Sequence, residues 1–300
     1  MEKVLIAGGS GFIGRRLTAL LQQSGYAVGW MSRSGGKRKD VQIFQWDVLR
    51  QRMDPAAIQW ADHIMVLAGA GIADKRWTEK RKQEIIHSRV QSTQLLIYQL
   101  QQQAHHVQTV TAASAVGYYG NRGDVWLQED AAPGDGFLTT STQAWEEASV
   151  GFNLAGIEPA IIRIGLVLGK ESGLLKEMDK QLRWGIRPIV GSGKQYYPWI
   201  HIDDVAGIFM HAMQQRLKGI YNAVAPQPMT QNELLKAMVR ARGTFALPAP
   251  APAFVLQLML GEMAAAVLGG QRVSADKVIG SGYSFRFEDA DTALQAIYNQ

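Results

Sequence analysis

The chain has 300 residues, of which 47% are hydrophobic and 19% are charged, and its formal net charge is +5. This balance excludes wholesale disorder and predicts a globular protein that is long enough to bury a substantial core. The absence of cysteine excludes a disulfide scaffold, a thiol nucleophile and a cysteine metal site, and it fits the reducing cytoplasm in which we expect the protein.

The first segments of the chain predict a strand, a helix and a second strand. Apolar runs cover residues 3–7 and 27–31, and the apolar spacing between them predicts a helix that ends at Ser24 and Gly25. The turn before this helix has the spacing Gly-x-x-Gly-x-x-Gly. Glycines let the backbone approach a pyrophosphate, and the N-terminus of a helix attracts anions. The turn therefore predicts a dinucleotide site that includes Gly8, Gly11, Phe12, Ile13 and Gly14.

The end of the second strand indicates which cofactor binds. A carboxylate there would bind the ribose hydroxyls of NAD, but this sequence has Ser32 and Arg33. Arg33 can pair with the 2′-phosphate of NADP, and Ser32 can donate a hydrogen bond. Lys37 and Arg38 follow on the loop, and the alternative is an exposed basic turn without a ligand. We favour NADP(H), with Asp47 after the next apolar run as a candidate contact of the adenine amino group.

The following segments continue to alternate between strands and helices. An apolar run over 63–69 ends in Leu67, Ala68 and Gly69, which should lie beside the pyrophosphate because parallel sheets bind ligands at the carboxyl ends of their strands. Ser114 stands at the end of a later strand. Further elements are predicted over residues 78–103, 108–113, 142–155, 159–164, 203–215 and 219–224.

This alternation predicts an α/β fold with a Rossmann-type doubly wound parallel sheet. We expect residues 1–165 to form the dinucleotide-binding domain, with 203–225 returning to it. After Gly169 the alternation is lost, and basic loops and an Ala/Pro-rich segment take its place. Residues 166–202 and 226–300 are therefore expected to form a smaller C-terminal α/β substrate-binding cap.

Several motifs resemble those of the extended short-chain dehydrogenases/reductases. They are the glycine turn, Ser114 followed by Tyr119-Gly120, and Trp-Ile-His-Ile-Asp-Asp-Val at 199–205. Other segments are similar to an atypical branch, the NAD-dependent epimerase/dehydratase-like "epimerase family proteins"; they cover residues 67–69, 72–77, 88–90, 191–193 and 268–273. The resemblance runs along nearly the whole chain and implies the Rossmann fold and a nicotinamide cofactor.

The resemblance also implies further cofactor contacts. Glu84 and Arg89 would line the cofactor site, and Val167 would pass by the nicotinamide. Arg89 can contact a phosphate or a ribose, or it can pair with Glu84. The alternative for Glu84 and Arg89 is an exposed pair on a helix, although residues five apart do not face each other well.

The chain departs from the family at its proton relay. Ordinary members carry Tyr-x-x-x-Lys on the helix after the Ser114 strand, whereas this chain has Ser141 and Trp145 at that spacing. A serine hydroxyl is a much weaker acid than a phenol, and an indole is a neutral donor. We therefore expect a proton donor on the opposite wall, so Ser114, Tyr118 and Tyr119 are the candidate catalytic residues. The alternative for the two tyrosines is packing beneath the cap.

Candidate substrate contacts lie in the predicted cap and its junction with the sheet. They are Arg183, Gln195, Tyr196 and His201. His201 can also be a structural residue before a helix, and Asp203 or Asp204 is expected to cap that helix.

These features leave two classes of function open. The first is an NADP(H)-dependent oxidoreductase or epimerase that acts on a small carbonyl or sugar-like substrate. The second is a cofactor-binding redox sensor or assembly factor without turnover. A homodimer is among the alternatives for the oligomeric state.

No segment of the sequence indicates a membrane, nucleic acid or metal partner. The most apolar stretch, 252–268, is interrupted by Glu262 and is shorter than the roughly twenty residues that a span needs. The apolar run near the N-terminus is too short for the core of a signal peptide. The basic clusters are short, and the six histidines are scattered without ligand spacing.

Overall fold

The computed structural model describes residues 1–35, 38, 40–170 and 173–299. The strands are β1 Lys3–Ala7, β2 Ala27–Ser32, β3 Gln42–Asp47, β4 Arg52–Met53, β5 His63–Val66, β6 Thr109–Ala115, β7 Trp126–Leu127, β8 Ala160–Ile164, β9 Leu166–Leu168, β10 Ile186–Val190, β11 Tyr196–Tyr197, β12 Trp199–His201, β13 Gly219–Ala223, β14 Met229–Thr230, β15 Leu247–Ala251 and β16 Arg272–Val273.

The α-helices are α1 Phe12–Gln23, α2 Ala56–Trp60, α3 Glu79–Gln102, α4 Phe137–Val150, α5 Gly173–Arg183, α6 Ile202–Gln214, α7 Gln231–Arg242, α8 Ala253–Leu260, α9 Ala265–Leu268, α10 Asp276–Gly280 and α11 Ala290–Tyr298. Short 3-10 helices cover Val116–Tyr119, Gly151–Ala155 and Gly261–Ala264.

Eight strands form the central sheet in the order β13-β8-β6-β5-β1-β2-β3-β4. All neighbours in this sheet are parallel except β3 and β4. The chain moves outward from β1 to β3 on one side and then crosses to β5 on the other side. The strand order therefore reverses between β1 and β5, where doubly wound sheets bind ligands at the carboxyl ends of their strands. The predicted fold class is confirmed.

The sheet is buried on both faces. In β1, Val4 and Ile6 contribute to one apolar core and Leu5 and Ala7 contribute to the other, because successive side chains of a strand point to opposite faces. The first core also holds residues of α1 and α6, and the second holds residues of α2 and α3. This double burial explains why the parallel strands consist of nearly continuous apolar runs.

A third apolar core lies outside the sheet. It is formed by α5, α7 and α11 together with residues of β11 and β12. Four two-stranded pairings, β10 with β15, β11 with β14, β12 with β9 and β16 with β7, accompany it.

One predicted helix boundary is wrong. The helix expected over residues 142–155 is α4, which begins at Phe137, and its last predicted turn is the 3-10 helix Gly151–Ala155. Gly136 has φ +95° and precedes the first helical residue. This backbone conformation suits glycine and makes a sharp entry into the helix.

The part of the chain that the structure describes contains no helix that is both long enough and apolar enough to cross a membrane. It also contains no group of three or more metal-ligating side chains that could hold an ion.

Candidate dinucleotide and substrate site

The glycine turn after β1 contains two kinds of glycine. Gly8 has φ +95°, and a Cβ there would lie 2.8 Å from the backbone of Leu67. A Cβ on Gly14 would lie 2.3 Å from the carbonyl oxygen of Gly8. Gly11 instead has φ −70° and is exposed, and within the described structure beyond its chain neighbours a Cβ there would meet only the Gly8 oxygen, at 3.3 Å. Gly8 and Gly14 are thus required for packing, whereas Gly11 leaves open space above the turn.

The helix that follows this turn is suited to an anion. Gly11 is the N-cap of α1, and it provides no side-chain cap. The first turn of α1 contains no acidic residue. The free N–H groups and the positive end of the helix dipole are therefore directed to the space above Gly11. These features fit the pyrophosphate of a dinucleotide.

The end of β5 borders the same turn. Ala68 N lies 2.9 Å from the position of a Gly8 Cβ, so the backbone of residues 67–68 packs directly on Gly8. Phe12 and Ile13 are half-buried at the start of α1, and the Phe12 ring packs against Gly169. The tertiary structure thus brings the predicted residues of both strand ends together.

The end of β2 presents an arginine to solvent. Arg33 is exposed, and Ser32 donates a hydrogen bond to the backbone oxygen of Ser34 at 2.8 Å. Arg38 lies over the ring of Trp30, with its guanidinium 4.8 Å from the ring centroid. Lys37 lies outside the described residues.

Asp47 is half-buried at the end of β3. Its carboxylate accepts a hydrogen bond from the backbone N–H of Arg50 at 3.1 Å. Part of its hydrogen-bonding capacity is therefore used by its own turn.

A cavity of about 570 Å³ lies at the carboxyl ends of β6 and β8. Its lining includes residues 115–117 and 164–166, together with Glu262, residues 265–267, Gly269 and Gln271 from the segment around α9. Trp77 and Phe137 form an aromatic side wall, with their ring centroids 4.8 Å apart. The volume is within the range of small-molecule sites.

A buried polar network lies beside this cavity. The Glu146 carboxylate accepts hydrogen bonds from Arg163 Nε at 2.8 Å and Nη2 at 2.9 Å, and from the Ser114 hydroxyl at 2.5 Å. The Tyr119 hydroxyl donates to Asn222 Oδ1 at 2.7 Å and accepts from Arg163 Nη1 at 2.9 Å. Burial would lower the pKa of Arg163, but its pairing with Glu146 raises that pKa above its usual value. Arg163 is therefore a fixed cation at the centre of the network.

Comparison with known proteins identifies the family. The model of the NAD dependent epimerase/dehydratase family matches residues 4–223, which is most of the chain. The chain belongs to this family. A second model, a domain of unknown function (DUF1731), matches residues 251–297.

Full-length relatives of this epimerase-family chain are found in animals and bacteria. It is 32% identical to mouse epimerase family protein SDR39U1, over 98% of this chain and 99% of the relative. It is 33% identical to epimerase family protein YfhF of Bacillus subtilis, over 98% of this chain and 97% of the relative. A crystal structure of human SDR39U1 (isoform 2) with NADPH superimposes with a TM-score of 0.89 at 32% identity, over 99% of both chains. The family resemblance is confirmed, and the chain is an NAD(P)-binding protein of this family.

The three candidate catalytic residues of this epimerase-family chain do not line the cavity. Ser114 is 1% exposed and Tyr119 is 0% exposed, and both hydroxyls are used within the buried network. The half-buried Tyr118 ring lies against Arg163, with the guanidinium 3.5 Å from its centroid. The structure therefore places the Ser114 and Tyr119 hydroxyls in the buried network rather than on the cavity surface, and the catalytic roles of these three residues stay predictions.

The residues that replace the Tyr-x-x-x-Lys pair are also buried. Ser141 and Trp145 lie on the inner side of α4. The Arg89 guanidinium lies 4.9 Å from the Trp145 ring centroid, and Trp145 Nε1 has no hydrogen-bond partner among the described residues. An arginine–indole stack thus lies at the position that the spacing of the Tyr-x-x-x-Lys motif assigns to lysine.

Arg89 supports the loop after β5 rather than pairing with Glu84. It donates from Nη1 to the backbone oxygen of Ala70 at 3.0 Å, and burial, followed by the charge of Arg81, lowers its pKa to about 10. Glu84 is exposed and pairs with Arg81 at 2.8 Å. Val167 is half-buried in β9, next to the cavity residue Leu166. Of the alternatives for Arg89, the pairing with Glu84 does not form.

The four predicted substrate contacts are dispersed. Tyr196 lines the cavity. Gln195 Nε2 donates to the backbone oxygens of Val190 at 3.0 Å and Val267 at 3.3 Å, so it stabilises the wall. Arg183 lies on α5, where it pairs with Asp179 at 3.1 Å beside a separate depression.

His201 caps the N-terminus of α6 and does not line the cavity. It is 1% exposed, and its Nδ1 accepts the backbone N–H of Asp203 at 3.1 Å. The prediction that Asp203 or Asp204 caps α6 is wrong. Asp203 instead pairs with Arg16 at 2.5 Å, and Asp204 accepts the backbone N–H groups of Arg286 and Phe287.

His201 makes the stability of the protein sensitive to acid. Burial lowers its pKa to about 4, against the opposing charge of Asp203. In the unfolded chain the pKa is about 6.5, so between these values the unfolded state binds more protons. We expect the free energy of unfolding to fall by on the order of 2–3 kcal/mol through this group as the pH drops from about 6.5 to about 4.

Urea unfolding at several pH values measures this effect. His201→Asn keeps a side-chain acceptor at the N-cap but does not titrate, so the pH dependence should become shallower. His87→Asn is the matched control, because His87 is exposed on α3 and should leave the dependence unchanged. Equal slopes for the parent protein and His201→Asn would contradict this assignment.

The buried Glu146–Arg163 pair was missed by the sequence analysis, although it left a signal. Arg163 interrupts the apolar run of β8, and a charged residue within a buried parallel strand requires a partner. Glu146 lies on the same face of α4 as Thr142 and Ser149, which are small and uncharged. The two signals together indicate a buried ion pair between α4 and β8.

Proposed function

We propose that this protein is an NADP(H)-dependent oxidoreductase that acts on a small carbonyl compound. The observation that carries the proposal is the open space above Gly11 at the uncapped start of α1, beside a cavity at the carboxyl ends of β6 and β8. The glycine turn would hold the pyrophosphate, and the exposed Arg33 would pair with the 2′-phosphate. The human relative that was crystallised with NADPH supports the same choice of cofactor.

The chemistry of this proposal is a reversible hydride transfer, which the nicotinamide supplies when bound. Reduction of a carbonyl forms a C–H bond with the hydride and an O–H bond with a proton that is taken up from the solvent, and it breaks the carbonyl π bond. The residues of the chain would orient the carbonyl and exclude water from the cavity. The test is oxidation of NADPH, followed by its absorbance, when a panel of aldehydes and ketones is added. Lack of turnover with every compound would contradict the proposal.

A second candidate function is cofactor binding without turnover, as in a redox sensor or an assembly factor. The burial of Ser114 and Tyr119 and the replacement of the Tyr–Lys pair by Ser141 and Trp145 favour it. It predicts tight NADPH binding without consumption of NADPH in the presence of any carbonyl compound.

Arg33→Ala should weaken the binding of NADPH much more than the binding of NADH. An arginine–phosphate contact contributes about 1.5–3 kcal/mol, so the variant should bind NADPH roughly ten- to hundredfold more weakly. Binding of NADH should change by less than about twofold, because NADH has no 2′-phosphate. Isothermal titration calorimetry with both cofactors measures the difference.

Arg240→Ala is the matched control for this experiment. Arg240 is on α7 and pairs with Asp291 at 2.7 Å, in the part of the chain that forms the third core. The Arg240→Ala variant should bind NADPH and NADH with the same affinities as the parent protein. Equal losses of NADPH and NADH affinity in Arg33→Ala would refute the proposed role of Arg33.

A further inference from the structure

The walls of the 570 Å³ cavity are apolar on most sides. Aromatic and aliphatic side chains come from the loop before α3, the start of α4, the end of β8, the start of β9 and the segment around α9. They include Trp77, Phe137, Leu138, Ile164, Leu166 and Val267. Such a surface binds ligands mainly through burial of apolar area.

The charges on the cavity wall are negative. The charged residues among the described lining are Asp135 and Glu262, and none is lysine or arginine. Glu262 Oε2 forms an ion pair with Lys82 Nζ at 2.6 Å, and Lys82 also pairs with Glu79, whereas the Asp135 carboxylate has no ion-pair partner among the described residues. The N-terminal turn of α4 also lines the cavity, but Asp135 stands just before it and opposes the approach of a second anion. A diphosphate group requires cationic donors, and the described lining contains none; of the cations beside it, Lys82 is paired with Glu262 and Arg272 is stacked on the rings of Trp126 and Tyr196.

Most polar side chains of the wall are already used by the protein. Trp77 Nε1 donates to the backbone oxygen of Ile72 at 2.9 Å, and the Tyr197 hydroxyl donates to that of Val267 at 2.7 Å. Gln271 Nε2 donates to the backbone oxygen of Gly120 at 2.8 Å. These bonds fix the shape of the wall and are not available to a ligand.

Tyr196 differs from these residues. It lines the cavity, and its hydroxyl forms no hydrogen bond with the described part of the chain. Its ring is held by Arg272, whose guanidinium lies 5.0 Å from the ring centroid on one side and 4.3 Å from that of Trp126. The phenol is thus a positioned donor without an internal acceptor.

We propose that the cavity binds a neutral, largely apolar carbonyl compound, with its oxygen accepting a hydrogen bond from Tyr196, and that it does not bind a nucleoside diphosphate sugar. This inference rests on the proposed oxidoreductase function. It follows from the absence of cations on the described wall, the apolar lining and the single unused phenol.

The test measures binding directly and does not depend on turnover. The full-length protein, saturated with NADP⁺, is titrated calorimetrically with acetophenone, 2-octanone, cyclohexanone and UDP-glucose. At least one ketone should bind with a Kd below about 1 mM, and UDP-glucose should show no heat of binding in that range. Tyr196→Phe should weaken ketone binding about three- to tenfold, as expected for one neutral hydrogen bond.

A second variant tests the location of the ligand. Ala266 is exposed and lines the cavity, so Ala266→Trp should fill it and weaken ketone binding at least about tenfold without unfolding the protein. Ala56→Trp is the matched control, because Ala56 is exposed at the start of α2, away from the cavity lining. NADP⁺ affinity should be the same in all of these proteins.

The outcomes distinguish this inference from the proposed function. If NADP⁺ binds but no ketone does, if UDP-glucose binds more tightly than the ketones, or if Ala266→Trp leaves ketone binding unchanged, the inference is overturned. If neither NADPH nor NADP⁺ binds to the parent protein, the proposed function fails. Ketone titration without nucleotide then tests separately whether the cavity binds a carbonyl compound.

Discussion

Gly11→Val should abolish NADPH binding and leave the protein folded. Gly11 has φ −70° and ψ 173°, a conformation that valine adopts readily. Among the described residues beyond its two chain neighbours, a Cβ there would have one atom within 4 Å, the Gly8 oxygen. The branched side chain would instead fill the space above the turn, where the pyrophosphate is expected to lie. We expect the affinity for NADPH to fall at least about a hundredfold, while loss of a glycine N-cap costs about 1 kcal/mol of stability.

Two further substitutions in the same turn serve as controls. Gly11→Ala adds a single methyl group and should give an intermediate loss of affinity. Gly14→Val should instead unfold the protein, because a Cβ there would lie 2.3 Å from the Gly8 oxygen. Calorimetric titration with NADPH and a thermal unfolding curve measure the two effects separately. If Gly11→Val binds NADPH within about threefold of the parent protein, the turn does not hold the cofactor.

Glu146→Gln should destabilise the whole protein. Glu146 is 6% exposed and accepts three hydrogen bonds, two of them from Arg163, which is 1% exposed. Removal of one partner of a buried ion pair leaves an uncompensated charge and costs about 3–5 kcal/mol. Urea unfolding should therefore show a lower midpoint.

The neighbouring residue provides the matched control for this variant. Glu147 is exposed on the same helix, so Glu147→Gln should change the stability by less than about 0.5 kcal/mol. The double variant Glu146→Leu/Arg163→Leu removes both charges and should recover part of the loss, because no unpaired ion remains. Similar midpoints for Glu146→Gln and Glu147→Gln would show that the pair contributes little to stability.

The sequence by itself determined the sheet and the nucleotide turn. Apolar runs predicted β1, β2, β5, β6 and β8 to within three residues, because strands buried on both faces contain few polar residues. The glycine spacing was informative for a related reason. Each glycine of this short segment is required by its own surroundings. Gly8 makes a tight turn and packs closely on residues 67–68, and Gly11 keeps the space above the turn open.

The tertiary structure alone decided which polar groups face the cavity. Ser114, Tyr119 and His201 each have the chemistry of a site residue, yet their partners Glu146, Asn222 and the N-terminus of α6 bury them. Tyr119 and Asn222 are 103 residues apart in the sequence, so no local pattern connects them. Helix and strand periodicity determines which face of an element is buried, but only the packing of distant elements determines whether a buried hydroxyl meets a ligand or another side chain.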